Sequence, residues 1–180
     1  SDLRPDRKII DINGWEQLNP EKLAIINQSK ALILMGGPAL IKNMVPKVYA
    51  LTNNLEDIKV PIIMMGIGWK SQKGNWVDSY SYSLSDKTLH LLERIDNSGY
   101  QSSVRDYPTL NAIRFNGFNN FVMTGCPAYY DEDFINSELQ LKDVNKVAFS
   151  LGVAFVESPS MEKLMKENIL ACKAKFPDKE

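Results

Sequence analysis

Apolar residues in this chain gather into short unbroken runs, each closed by a tight loop and followed by a helical pattern. The first is Ala31-Leu-Ile-Leu-Met35, closed by Gly36-Gly37-Pro38, and the second is Val60-Pro-Ile-Ile-Met-Met65, closed by Gly66-Ile67-Gly68. The third is Gln101-Ser-Ser-Val104, closed by Arg105-Asp106, and the fourth is Phe121-Val-Met-Thr124, closed by Gly125-Cys126-Pro127. Runs with no alternating polar face predict strands covered on both sides, as in a parallel sheet flanked by helices. Near-complete burial is therefore expected along all of them. Val147-Ala-Phe-Ser-Leu151 predicts a fifth strand and Lys8-Ile-Ile-Asp-Ile12 a weaker sixth.

The helices between have readable starts. Asn19-Pro20-Glu21 places an N-cap and a first-turn proline before Leu23, Ile25 and Ile26. Ser85 or Asp86 opens a helix carrying Leu89, Leu92 and Ile95 that Asn97-Ser98-Gly99 ends. Asp106 or Tyr107, then Pro108, opens another with Leu110, Ile113 and Phe115 that stops at Gly117. Ser158-Pro159 opens the last, with Met161, Leu164, Met165, Ile169 and Leu170 facing inward. Alternating strand and helix predict an α/β fold with an open, mainly parallel sheet. Residues 129–145 are rich in Asp, Glu and Asn and read as a surface connection. Residues 1–143 are accordingly expected to form one domain. Residues 144–180, one strand and one helix, cannot bury both their own sides and are expected to open a second, incomplete α/β domain.

Composition narrows the classes. With 21 basic and 22 acidic residues the net charge is −1, so there is no excess of cations for a nucleic-acid backbone or an anionic membrane. Any anionic ligand must be caught by a few well-placed groups. No apolar run approaches the ~20 residues of a membrane span, and the start of the chain has no signal-peptide pattern. Cys126 and Cys172 lie far apart and are expected to be reduced, which fits a cytoplasmic location, at most peripheral to the inner face of the membrane. One histidine nearly excludes a histidine-rich metal site, and no metal or cofactor is expected.

Ligands of open parallel sheets bind beyond the carboxyl ends of the strands. Gly36-Gly37 and Gly66-Ile67-Gly68 fall there and can bring backbone N–H groups close to an anion, or can merely make tight turns. Neither matches a dinucleotide fingerprint, since Pro38 follows the first pair, so a nicotinamide cofactor is not expected. Arg105, after Ser102, Ser103 and Val104, ends a strand and begins a helix. Its guanidinium can hold a carboxylate or phosphate through two parallel hydrogen bonds, or can pair with Asp106 while Asp106 caps the helix. The 69–83 stretch holds Trp69, Trp76 and two tyrosines. It is expected to be a long, irregular and mobile loop whose aromatic faces suit a sugar. His90, within an amphipathic helix, reads as structural, Cys126 as a small packing residue, and Asp131-Glu132-Asp133 as a solvated loop rather than a Mg²⁺ site.

Taken in order, Ser29-Lys-Ala-Leu-Ile-Leu-Met-Gly-Gly37, Val60-Pro-Ile-Ile-Met-Met-Gly-Ile-Gly68, Ser103-Val-Arg-Asp106 and Val122-Met-Thr-Gly-Cys-Pro127 resemble the polysaccharide pyruvyl transferases. The resemblance implies a two-domain, Rossmann-like fold of the B-type glycosyltransferase kind, with the first strand preceding residue 8. It implies transfer of a pyruvyl group from phosphoenolpyruvate to a hydroxyl pair of a cell-surface sugar, forming a ketal. The acceptor would be a glycan or lipid-linked sugar, and self-association into homo-oligomers is left open. Substrate binding is assigned to Arg105, Gly36, Gly37, Gly66, Gly68, Ser103 and Trp69, with Arg105 on the anionic donor. Two departures stand out: Pro38 replaces a third glycine, and nothing here matches the general-acid histidine or the second arginine of the second domain. No catalytic residue is therefore assigned within the chain. A nucleotide-sugar glycosyltransferase on the same scaffold, or a non-catalytic binding or assembly fragment, are the alternatives.

Overall fold

A computed structural model describes residues 6–71, 75–131, 133–134, 136–138, 146 and 159–177. The chain divides into two compact units, Ser1–Ile135 and Asn136–Glu180. The first carries helix α1 (Pro20–Asn27), strand β1 (Leu32–Met35), the single kinked turn α2 (Met44–Lys47) and strand β2 (Ile62–Met65). Helix α3 (Asp86–Asp96), strand β3 (Ser102–Val104), helix α4 (Tyr107–Phe115) and strand β4 (Phe121–Met123) follow. It is an α/β unit with short parallel sheets.

All four expected central strands form. β1 pairs with β2 in parallel, Leu32 opposite Ile62 and Met35 opposite Met65. β3 pairs with β4 in parallel, Ser102 opposite Phe121. A parallel bridge between Ile67 and Val104 lays β3 along the end of β2. There the Met64 N–H donates to Ser102 Oγ (3.0 Å) and the Gly66 N–H to the Ser103 carbonyl (3.0 Å). The helices start where the sequence places them. Asn19 caps α1 by accepting from the Lys22 N–H, and Asp106 caps α4 by accepting from the Thr109 N–H. In α3 the buried residues Thr88, Leu91, Leu92 and Ile95 follow the helical period. Leu91, Leu92 and Ile95 belong with Leu34, Ile62, Met64, Val104, Ile113 and Phe121 to one core.

Burial corrects the expectation of strands covered on both faces. Leu34, Ile62 and Met64 are buried, but Ile33 is 47% exposed, Met35 55% and Met65 37%. The strands lie side by side in chain order, an arrangement in which crossovers of the usual right hand all fall on one face of a sheet. The weak strand expected at 8–12 does not form, and Ile9 and Ile10 stand exposed. The 69–83 stretch is less irregular than expected in its described part. A 3₁₀ turn, Trp76–Tyr80, packs against α4 with Asp78 and Ser79 buried, because Asn75 accepts from the Asp78 N–H and fixes the turn.

In the second unit, α5 (Pro159–Lys175) forms as expected. Met165, Ile169, Cys172 and Phe176 make its half-buried stripe, whereas Leu164 and Leu170, expected inward, lie off that stripe and are exposed. The fifth strand expected at 147–151 lies outside the described residues.

Candidate functional site

The loops at the carboxyl ends of the strands are tied to one another by backbone hydrogen bonds. The Gly68 N–H donates to the Gly37 carbonyl (2.9 Å), and the Leu40 N–H returns to the Gly68 carbonyl (2.9 Å). The Arg105 N–H donates to the Ile67 carbonyl (3.0 Å), so the third loop is fastened to the second. The Thr124 N–H donates to the Val104 carbonyl (3.0 Å), which brings in the fourth.

Arg105 is seated by Gly68. A Cβ at residue 68 would fall onto the guanidinium, first on Nε and then on Cζ and Nη2, so the group packs against bare backbone. Its Nε stands 3.5 Å from Asp106 Oδ2, and both side chains are one-third exposed. The other oxygen of Asp106, Oδ1, accepts from the Thr109 N–H (2.8 Å) and from Thr109 Oγ1 (2.6 Å). Thr109 Oγ1 in turn accepts from the Trp69 N–H (2.8 Å). Of the two sequence readings of Arg105, the pairing with Asp106, with Asp106 capping α4, is present. The ion pair with Asp106 engages Nε, and the Nη groups bond to no other residue among those described.

The remaining assigned residues divide by how their polar groups are used. The Gly66 N–H is taken up by the Ser103 carbonyl and by Ser103 Oγ (3.2 Å), so these two residues clamp β2 to β3. Gly66 also has φ 62°, and a Cβ there would strike the Pro127 ring, which packs over it. At Gly36 and Gly37 a Cβ would meet nothing within 4 Å, so this turn is the open one. Trp69 is held edge-to-face against Tyr82, with ring centroids 5.3 Å apart, and packs on the core. The exposed aromatic pair of that stretch is instead Trp76 with Tyr80, 5.8 Å apart.

Two phenols in this unit are shifted. Tyr49, whose hydroxyl donates to the Met35 carbonyl (3.0 Å), is pushed up to about 12 by burial. Tyr82, which donates to the Lys70 carbonyl (2.8 Å), is raised by burial and then by the Asp78 charge. His90 is exposed on α3, 4.0 Å from Glu56, away from these loops. Cys126 is free and half-buried. Among the described residues no group of three or more His, Cys, Asp or Glu could hold a metal ion, and no helix is long and apolar enough to cross a membrane.

The sequence reading missed two contacts that shape the site: the seating of Arg105 on Gly68 and the packing of Pro127 on Gly66. Each joins residues far apart along the chain, and no local pattern announces either. The glycines themselves were the available signal.

Parallel strands whose carboxyl-end loops are tied together beside the half-buried Arg105 define an α/β protein. The chain belongs to the polysaccharide pyruvyl transferase family, whose model matches residues 1–176. That membership points to a transferase that modifies a glycan. No curated protein and no solved structure matches the chain.

Proposed function

We propose that this protein transfers a pyruvyl group from phosphoenolpyruvate to two hydroxyls of one sugar in a cell-surface polysaccharide. The observation that carries the reading is the guanidinium of Arg105, laid on Gly68 with Nε turned to Asp106 and its Nη edge uncommitted. Phosphoenolpyruvate carries a carboxylate and a phosphate, and a guanidinium edge holds either through parallel charge-assisted hydrogen bonds. In the reaction the enol methylene takes a proton and becomes methyl. One sugar hydroxyl adds to the adjacent carbon, the C–O bond to phosphate breaks, and the second hydroxyl closes the ketal. The protons of the two hydroxyls balance those taken by the methyl group and the departing phosphate. Arg105 stabilises charge on the donor, and the open Gly36-Gly37 turn leaves room beside it.

The fold that goes with this reading is a Rossmann-like half of the B-type glycosyltransferase kind, with residues 144–180 opening a second α/β domain. The acid that protonates the methylene is assigned to that second domain. His90 is not a candidate, since it stands exposed beside Glu56 on α3.

Titration of phosphoenolpyruvate into wild type, Arg105→Lys and Arg105→Ala tests the assignment. Loss of the bidentate pair is expected to weaken binding by about ten- to a hundredfold, with lysine recovering only part. Equal affinity in all three folded proteins would reduce Arg105 to a structural ion pair. Binding of a nucleotide-sugar in preference to phosphoenolpyruvate would move the protein to glycosyl transfer.

A further inference from the structure

A cavity of about 280 Å³ opens between α2, the segment leading to β2 and the first turns of α3, and none of the carboxyl-edge loops lines it. Its lining includes the apolar Pro46, Leu51 and Leu55 and the polar Asn53, Lys87 and His90. Lys87 and His90 stand three residues apart in α3 and so share one side of the helix. The positions between serve the core, since Thr88 is buried and Leu89 packs against the core. Among the described residues no carboxylate lines the cavity; Glu56, 4.0 Å from His90 Nε2, lies outside the lining. Lys87 makes no ion pair among the described residues.

Those features select a ligand class. A concave surface with a lysine, a histidine and no acid, on a chain of net charge −1, favours an anion at that point. Its apolar lining residues suit the C–H face of a ring, and the Asn53 carboxamide can both donate to and accept from hydroxyls. The volume, at the small end of ligand pockets, fits one ring rather than a chain.

We propose that this cavity is a second binding site, for a single sugar ring that bears a carboxylate. Lys87 and His90 hold the acid group, and Pro46 and Leu55 lie under the ring. The carboxylate is that of a uronic acid or of a pyruvyl ketal already placed on the glycan. In a transferase acting on polysaccharide, such a site holds an acidic unit of the same molecule away from the reacting centre and raises the local concentration of acceptor. The glycan source rests on the family membership and not on the assignment of the donor to Arg105.

The test uses glucuronate, a pyruvyl-ketal methyl galactoside and glucose as probes, titrated into the whole chain by calorimetry or by chemical-shift mapping. At least one acidic probe is expected to bind at least tenfold more tightly than glucose. Lys87→Glu and His90→Ala should each weaken that binding by about tenfold. Arg105→Ala should leave it unchanged, which separates this site from the donor site. Both replaced cavity side chains are exposed, and melting curves check that the variants fold. Equal binding of glucose and the acids, no binding of either acid, or loss of binding in Arg105→Ala and not in Lys87→Glu would overturn the proposal.

Discussion

Residues 66 and 68 are both glycine for reasons of space, yet what fills the space differs. At residue 68 the obstacle is the far end of a flexible arginine; at residue 66 it is a proline ring, on backbone with φ 62°. Gly68→Ala is therefore expected to keep the fold within about 1 kcal/mol of wild type, because the guanidinium can swing away. It should nonetheless weaken phosphoenolpyruvate by roughly tenfold, since the seat is lost. Gly66→Ala has no such escape and should cost about 2 kcal/mol in urea denaturation. Similar stability losses in the two variants would show that Arg105 is not free to move. Asp106 and Arg105 were legible in the sequence because a strand end, a cap and Pro108 are local signals. The seat under the guanidinium was not, because it depends on which loop lies beside which.

Among elements, the strands were easier to read than their surroundings. Each of the four runs becomes a strand within a residue or two of the stretch that predicts it. What the pattern could not give was which face is covered, since β1 and β2 are apolar on both sides and only the order of the crossovers decides. Leu34 and Ile33 are neighbours on opposite faces, 4% and 47% exposed. Leu34→Ala should cost about 2–5 kcal/mol and Ile33→Ala under about 1, by chemical denaturation. The kinked turn α2 was also invisible, and just after it Tyr49 ties this segment to the end of β1 through the Met35 carbonyl. The folded Tyr49 phenol titrates near 12 and the unfolded one near 10, so the folded state holds the proton more tightly. Stability from this residue is thus complete below pH 10 and is lost as pH rises towards 12. Tyr49→Phe should cost about 1 kcal/mol near neutrality and flatten the alkaline decline. An unchanged slope in the variant would assign the decline to other groups.

For the whole molecule, family membership points to a transferase that modifies a glycan, and the cavity beside α3 lies apart from the carboxyl-edge loops proposed to take the donor. Neither conclusion needed a conspicuous motif. A nearly neutral chain with one histidine and two cysteines leaves little for composition to say. The ordered set of glycine turns with Ser103-Val-Arg-Asp106 was the specific signal, and it extends through the stretch that forms one core. The exposed pair Trp76 and Tyr80 escaped the reading of that stretch as a single aromatic loop, because Trp69 is drawn inward by Tyr82.

The seat that Gly68 gives Arg105 carries a consequence for inheritance. A methyl group at residue 68 is harmful only while a guanidinium occupies the space above it, so the two positions are epistatic. In an Arg105→Ala background, Gly68→Ala should change donor affinity by less than about twofold, against roughly tenfold in wild type, a gap a double-mutant cycle resolves. A lineage that gave up the arginine would release its glycine to drift. One that first lost the glycine would find the arginine already displaced, and selection to keep it would relax.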